Sequence, residues 1–269
     1  MVLSSRVIGC NVSSPMSTND PIIVPGNELV REINNVFINN HAISSKVYVS
    51  TAADVVKKKL DENEVSTLNS LPSTKTDGLL GQLPLYQGMP VFLTRNISTE
   101  LGLTNGTTGV ISSLPKIQDP SPNPVGVVPL KESLPCVIVK FNDVSLPKLT
   151  GLDQNHVPIF PVHGSFTIKS GKKSLTVKRN HFPLVPAFAC TAHKSQGQTL
   201  SSIVIDLIPP KGMKNINLSF IYVPLSRVRR LVDLTILRPF AESILNLSLD
   251  SDCKAMMEDF ENRDLCKHM

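Results

Sequence analysis

The sequence predicts an α/β chain interrupted by a small β-rich insertion. Three observations predict it. Strand and helix signals alternate at the two ends, from Pro21 and again after Pro186. Short β-branched runs broken by Gly, Pro and Asn fill the stretch from Gly88 to Asn180. Finally, 21 Pro against 14 Gly, with no Trp, argue for a loop-rich chain rather than a helical bundle.

Residues 1–20 are rich in Ser and Asn and read as a flexible N-terminus. Pro21 to Val24 reads as a strand and Pro25-Gly26 as a turn. A helix follows, with Asn27 as N-cap, Glu28 in the first turn, and Leu29, Ile33, Val36 and Phe37 at helical spacing. Residues 51–70 read as a second, polar helix, opened by TAADVV and continued by VKKKLDENEV. From Gly88 the period shortens. GMPVFLTRN, TTGVISSL, LPCVIVKFNDV, PIFPVHGSFTI and KSLTVKRN form a small β-barrel or meander over 88–180, with a tight turn at Asn105-Gly106. Six prolines between Pro115 and Pro135 mark 115–135 as a long exposed loop.

After Pro186, AFACTAH reads as a buried strand, and HKSQGQTL as a polar turn leading into a short helix. SSIVIDL is a strand, and NINLSFIYVPLSRVRR a helix with Ile216, Phe220, Val223 and Val228 along one stripe. Pro224 inside it argues for a kink or a later start. DLTILRPF is a last strand, and 241–269 an acidic tail helix. The α/β parts are thus 21–87 and 181–240, with 88–180 inserted between them.

Hydrophobic residues make up 41% and charged residues 18%, enough apolar content to bury a core. The uncharged stretch from Gly78 to Thr94 is too short and too broken by Gly, Pro and Gln to span a bilayer. The five cysteines form no C-x-x-C pair and no Cys/His cluster has zinc spacing, so neither a disulfide scaffold nor a metal site is expected. The opening MVLSSRVIGC lacks a basic segment followed by a long apolar core, and no secretory signal is read there. The net charge of +5 is uneven. Residues 161–240 hold twelve Lys/Arg and two acids, or +10, and the remainder 15 basic and 20 acidic residues, or −5. A basic third on a mildly acidic rest is the pattern of a chain that meets a polyanion. Six of the twelve, Lys169, Lys172, Lys173, Lys178, Arg179 and Lys194, fall between 169 and 194.

Two segments could carry chemistry. TAHKSQGQTL places Thr191, His193, Lys194, Ser195 and Gln196 between an apolar strand and Gly197, where an α/β sheet binds its ligands. Such a turn offers a cation, hydroxyls and backbone N–H groups to a phosphate. IYVPLSRVRRL ends a helix with Arg227, Arg229 and Arg230. Basic residues there complement the helix dipole without further purpose, but a planar guanidinium can also stabilise charge on a transferring phosphoryl group.

AFACTAHKSQGQTLSSIVIDL followed by IYVPLSRVRRLVDLTILRPF closely resembles motifs V and VI of superfamily 1 DNA helicases, in the petite-integration-frequency/RecD-like branch that includes Helitron-carried helicases. GMPVFLTRNISTELGLTNGTTGVI resembles the opening of the small β-barrel that this branch inserts in its second motor domain. PGNELVREIN resembles its motif IV region, so the resemblance runs over roughly 21–240.

The resemblance implies a RecA-like second motor domain with an inserted small β-barrel. It implies that Thr191, His193, Lys194 and Ser195 line a single-stranded DNA track, and that Gln196 and Gly197 lie near the ATP cleft. Arg227 is then the catalytic arginine finger on the γ-phosphate, with Tyr222 beside it, and Arg229 and Arg230 either face the DNA backbone or are plain surface charge. Thr199 stands where related branches often carry Glu. A P-loop needs G-x-x-x-x-G-K-[ST]; the one Gly-Lys pair, Gly171-Lys172, is followed by Lys173 and has Phe166 rather than Gly five residues before Gly171. No strand ends in an acidic pair for Mg2+, and the family's G-D-x-x-Q-L element is missing.

The expectation is therefore the C-terminal half of a 5′→3′ ATP-dependent DNA helicase of repair or recombination, without its first motor domain. ATP and Mg2+ belong to the intact enzyme and are not held by this chain alone. Its partners are single-stranded DNA and the missing motor domain, in cis or in trans, and no membrane. Its location is intracellular, nuclear in a eukaryote. The alternatives are a catalytically inactive single-stranded DNA-binding module and a transposon-derived remnant.

Overall fold

The structure is a computed structural model that describes residues 21–58, 60–117, 123–142, 144–170, 173–197, 200–209, 218–246 and 254. The expectations for 1–20, Thr199, Gly171-Lys172, Ile216 and nearly all of the tail after 246 lie outside the described residues. In chain order the strands and helices begin with β1 (Ile22–Val24), α1 (Asn27–Ser44), β2 (Lys46–Thr51), β3 (Ala53–Val56) and α2 (Glu62–Ser70). Next come β4 (Gln82–Leu85), β5 (Pro90–Leu93), β6 (Thr108–Ser113), β7 (Gly126–Pro129), β8 (Val137–Lys140) and β9 (His156–Ile159). They are followed by β10 (Val162–Ser170), β11 (Lys173–His181), β12 (Leu184–Pro186), β13 (Ala189–Thr191) and α3 (Ala192–Ser195). The last are β14 (Ile203–Ile205), α4 (Leu218–Leu225) and β15 (Leu234–Ile236).

The chain divides into two compact units, one of residues 1–31 with 189–269 and one of residues 32–188. In the first unit, β13-β1-β14-β15 form an all-parallel sheet. Its two central strands, β1 and β14, are continuous apolar runs. Ile22, Ile23, Val24, Ile203, Val204 and Ile205 are all buried, as in a sheet covered on both faces.

Among the described residues the second unit holds three sheets. β12-β5-β6-β8-β9 is antiparallel throughout, and its core residues Val91, Leu93, Ile111, Val137 and Val139 pack with Val47, Leu83 and Leu85 of the sheet β4-β2-β7. The barrel of the sequence reading thus takes the form of two sheets around one core. The third sheet, β10-β11-β3, is a long hairpin extended by β3. Its Phe166 and Val177 pack on Leu68 of α2.

Several local readings are corrected. Residues 53–56 are a strand of the second unit, not helix, because β3 zips onto β11 in the register Val56↔Val177 to Ala53↔Asn180. The helix starts only where a capping box permits it. The Asp61 carboxylate accepts from Glu64 N–H at 2.7 Å, and the Glu64 carboxylate accepts from Asp61 N–H at 3.1 Å. Gly126–Pro129, read as loop, forms β7 in parallel with β2, with Val128 buried. The extent 21–87 therefore does not stay together: β2, β3, α2 and β4 pair and pack inside the second unit. Helix α1 begins one residue early, since the Gly26 carbonyl already accepts from Val30 N–H, and its inner face is Asn34 and Ile38, with Val36 at 56% exposure.

Gly81 sits where strand β4 begins, its carbonyl accepting from Ala52 N–H at 2.9 Å. A Cβ there would lie 2.5 Å from Asn69 Cα, a backbone atom at the end of α2 that cannot swing away. Gly81→Ala should cost about 1–3 kcal/mol of stability, read from urea denaturation. An unchanged midpoint would show that α2 moves freely.

Candidate functional site

The candidate residues all belong to the first unit. β13 buries Ala189 and Cys190 and releases the chain at Thr191, which is partly exposed. The residues that follow are mostly polar, so the chain leaves the sheet. α3 is a single turn rather than a helix after the motif, closed by Gln196 N–H to the His193 carbonyl at 3.4 Å. Gly197 has φ +79°, a backbone conformation in which a side chain would be strained. His193, Gln196 and Gly197 are exposed. Lys194 is half-buried, and burial pushes its ammonium below its ordinary value.

Ser195 turns the other way. It is 1% exposed, and its hydroxyl donates to the Ala192 carbonyl at 2.9 Å. The Ser195 hydroxyl, read from the sequence as a DNA contact, is directed inward and already satisfied. What Ser195 presents is its carbonyl, which accepts from Arg227 Nη1 at 3.3 Å. Leu200 N–H donates to the Arg227 carbonyl at 2.8 Å, a second tie between the two segments. The turn after β13 and the end of α4 therefore meet at Arg227.

α4 supplies Arg227 from its C-terminal end. Over Leu218–Leu225 it buries Ile221 and Pro224, while Phe220 and Val223 of the expected stripe, and Val228 beyond its end, are half-buried. Pro224 is accommodated one residue before the helix stops. Tyr222 is 63% exposed, and its carbonyl accepts from Ser226 N–H at 2.9 Å. Arg229 is exposed. Arg230 is exposed as well, but its guanidinium makes a two-point ion pair with Asp233, both bonds 2.8 Å. A surface pair of this kind accounts for Arg230 without any partner.

An ion pair in the same unit escaped the sequence reading. Asp206 follows β14 with a fully buried carboxylate that accepts from Arg238 Nε at 3.0 Å and Nη2 at 2.6 Å. Among the described residues no group of His, Cys, Asp or Glu could hold a metal ion, and no helix is long and apolar enough to cross a membrane.

The basic cluster between 169 and 194 is divided by the fold. Lys169 and Lys178 are exposed in the second unit, on the outer face of the β10–β11 hairpin with His163, Ser165, Thr167, Ser174 and Thr176. None of these seven side chains is acidic. Arg179 is fully buried and pairs with Asp54. Two clefts of about 500 and 360 Å³ flank α2 in the same unit; none of the sequence-predicted site residues lines either.

Residues 73–114 match the family described as DNA helicase Pif1, 2B domain. Proteins of curated function yield no sequence match. Solved structures do match in fold. The Pif1 helicase of Candida albicans is 21% identical with a TM-score of 0.57, over 92% of this chain and 51% of that one. Bacteroides Pif1 bound to single-stranded DNA is 18% identical with a TM-score of 0.60, over 98% and 50%. Bacteroides Pif1 in complex with ADP-AlF3 and single-stranded DNA is 17% identical with a TM-score of 0.60, over 97% and 49%. The chain spans about half the length of these proteins, and its parallel sheet agrees with a RecA-like domain. Residues 73–114 are thus similar in sequence to a Pif1 2B domain, and the chain has the fold of about half a Pif1 helicase.

Proposed function

We propose that the chain is the C-terminal motor half of an ATP-dependent DNA helicase, contributing an arginine finger and single-stranded DNA contacts. One observation carries the reading: the guanidinium of Arg227 meets the carbonyl of Ser195, so the two motif segments converge on one surface. Thr191, His193 and Lys194 offer a hydroxyl, an imidazole and an ammonium for phosphodiester oxygens, beside the exposed Gln196-Gly197 backbone. Arg227 is the cation for a developing phosphoryl charge. The sequence offers no G-K-[ST] cradle and no strand that ends in an acidic pair, so ATP and Mg2+ would be held mainly by another motor domain, with Gln196, Gly197, Tyr222 and Arg227 facing them from this side. A nucleotide supplies the force for strand movement; this chain's residues bind and orient. The Lys169/Lys178 face of the hairpin adds a second, sequence-independent phosphate surface.

Fluorescence anisotropy with labelled single-stranded DNA tests the binding half of the reading. Affinity should fall steeply between low and physiological salt, and Lys194→Ala and Lys169→Glu/Lys178→Glu should each weaken it and flatten the salt slope, by about one unit per lost contact. Salt-independent binding would remove the phosphate track. The isolated chain should not hydrolyse ATP; turnover that Arg227→Ala abolishes would show that a complete nucleotide site is present after all.

A further inference from the structure

The C-terminal turn of α4 does not close as a regular helix. Ser226 N–H reaches Tyr222 O at 2.9 Å, but Arg227 N–H reaches back only three residues, to Pro224 O at 3.2 Å. The Val223 carbonyl, which a continuing α-helix would give to Arg227 N–H, is thereby left to side chains. It accepts from the Ser226 hydroxyl at 3.0 Å and from Arg227 Nε at 2.9 Å. The Ser226 oxygen in turn accepts from Arg227 Nη2 at 2.7 Å. A hydroxyl can donate once and accept at the same time, and Ser226 does both between these two groups.

We propose that Ser226 is a positioning residue for Arg227. Its hydroxyl braces the Nη2 edge of the guanidinium against the Val223 carbonyl, while the Ser195 carbonyl holds Nη1. Two adjacent anchors on the Nε/Nη2 edge and a third on Nη1 fix both the position and the plane of a side chain that otherwise samples many rotamers. Preorganisation of this kind is what a phosphoryl-stabilising cation needs, since a group already aimed has little left to reorganise. Because the Nη1 anchor is a carbonyl of the 192–197 turn, the aim of Arg227 also follows the position of that turn. The functional value of this bracing rests on the reading of Arg227 as a phosphate-facing residue; the bracing itself does not.

The experiment therefore observes Arg227 directly, in the whole chain, by NMR of arginine Nε–H groups. In the wild type the Arg227 Nε–H should exchange with solvent much more slowly than that of the exposed Arg229. Ser226→Ala should accelerate the Arg227 exchange by about five- to tenfold, the worth of one hydrogen bond. Backbone amides of β13 and β14 should keep their protection. Ser226→Thr retains the hydroxyl and should restore the wild-type rate. An Arg227 rate unmoved in the alanine variant overturns the proposal, and so does a threonine variant as fast as the alanine one. Slow exchange that depends on Ser226, in a chain whose DNA binding ignores salt, would support the bracing while removing the helicase reading.

Discussion

Asp54→Ala should destabilise the chain by about 3–5 kcal/mol, because it strands a cation inside the second unit. The Arg179 side chain has no exposed surface and lies 5.1 Å over the Phe166 ring. Its Nε and Nη2 each donate to an Asp54 carboxylate oxygen at 2.7 Å, Nη1 donates to Leu79 O at 3.1 Å, and Nη2 also to Leu68 O at 3.2 Å. One guanidinium thus ties β11 to β3, to the end of α2 and to the loop before β4. Removing the carboxylate leaves the two carbonyls, which cannot neutralise the charge. Urea denaturation followed by circular dichroism gives the size of the loss. A double variant, Asp54→Leu with Arg179→Met, removes both charges and should recover much of it; a double variant worse than Asp54→Ala would show that shape, not the buried charge, dominates.

The second large effect is on pH. His181, next but one to Arg179, is 3% exposed. Its Nδ1 lies 2.7 Å from Leu80 O and its Nε2 3.1 Å from Ser50 Oγ. Burial is the main reason its pKa drops from 6.5 to about 4; the Arg179 charge lowers it further, and the Leu80 bond opposes the drop. The unfolded chain therefore binds a proton that the folded chain refuses between those two values. Stability from this group is complete above pH 6.5 and is lost as pH falls toward 4, about 3 kcal/mol in all. Denaturation midpoints at pH 7 and pH 4.5 should differ in the wild type and differ less in His181→Gln. Equal pH dependence in both would assign the loss to carboxylates instead.

Local signals carried much of this architecture. The apolar runs IIV, ACT, IVI and LTI became the parallel sheet, and the β-branched runs after Gly88 became β5, β6, β8, β10 and β11, because each strand announces itself by its own residues. What escaped was pairing at a distance. Asp54 and Arg179 are 125 residues apart, and nothing near Ala53–Val56 says that β11 will pair with it, so TAADVV passes for a helix start. The real start signal, Asp61 with Glu64 three residues on, stood in the sequence unread. At the candidate site the positions of Lys194 and Arg227 were legible as charged residues at element ends. The inward turn of Ser195 and the bracing by Ser226 were not, since both depend on which carbonyls the backbone leaves over.

The parallel sheet of the first unit has a consequence for how the chain is made. β1 leaves the ribosome well before its two neighbours, β13 and β14, which come from residues 189–205. Until they arrive, Ile22, Ile23 and Val24 are an unpaired apolar strand with two open edges. Residues 32–188 can complete their own core meanwhile, so for a time a finished body stands beside a sticky segment that still waits for its neighbours, the kind of intermediate that holding chaperones exist to shield.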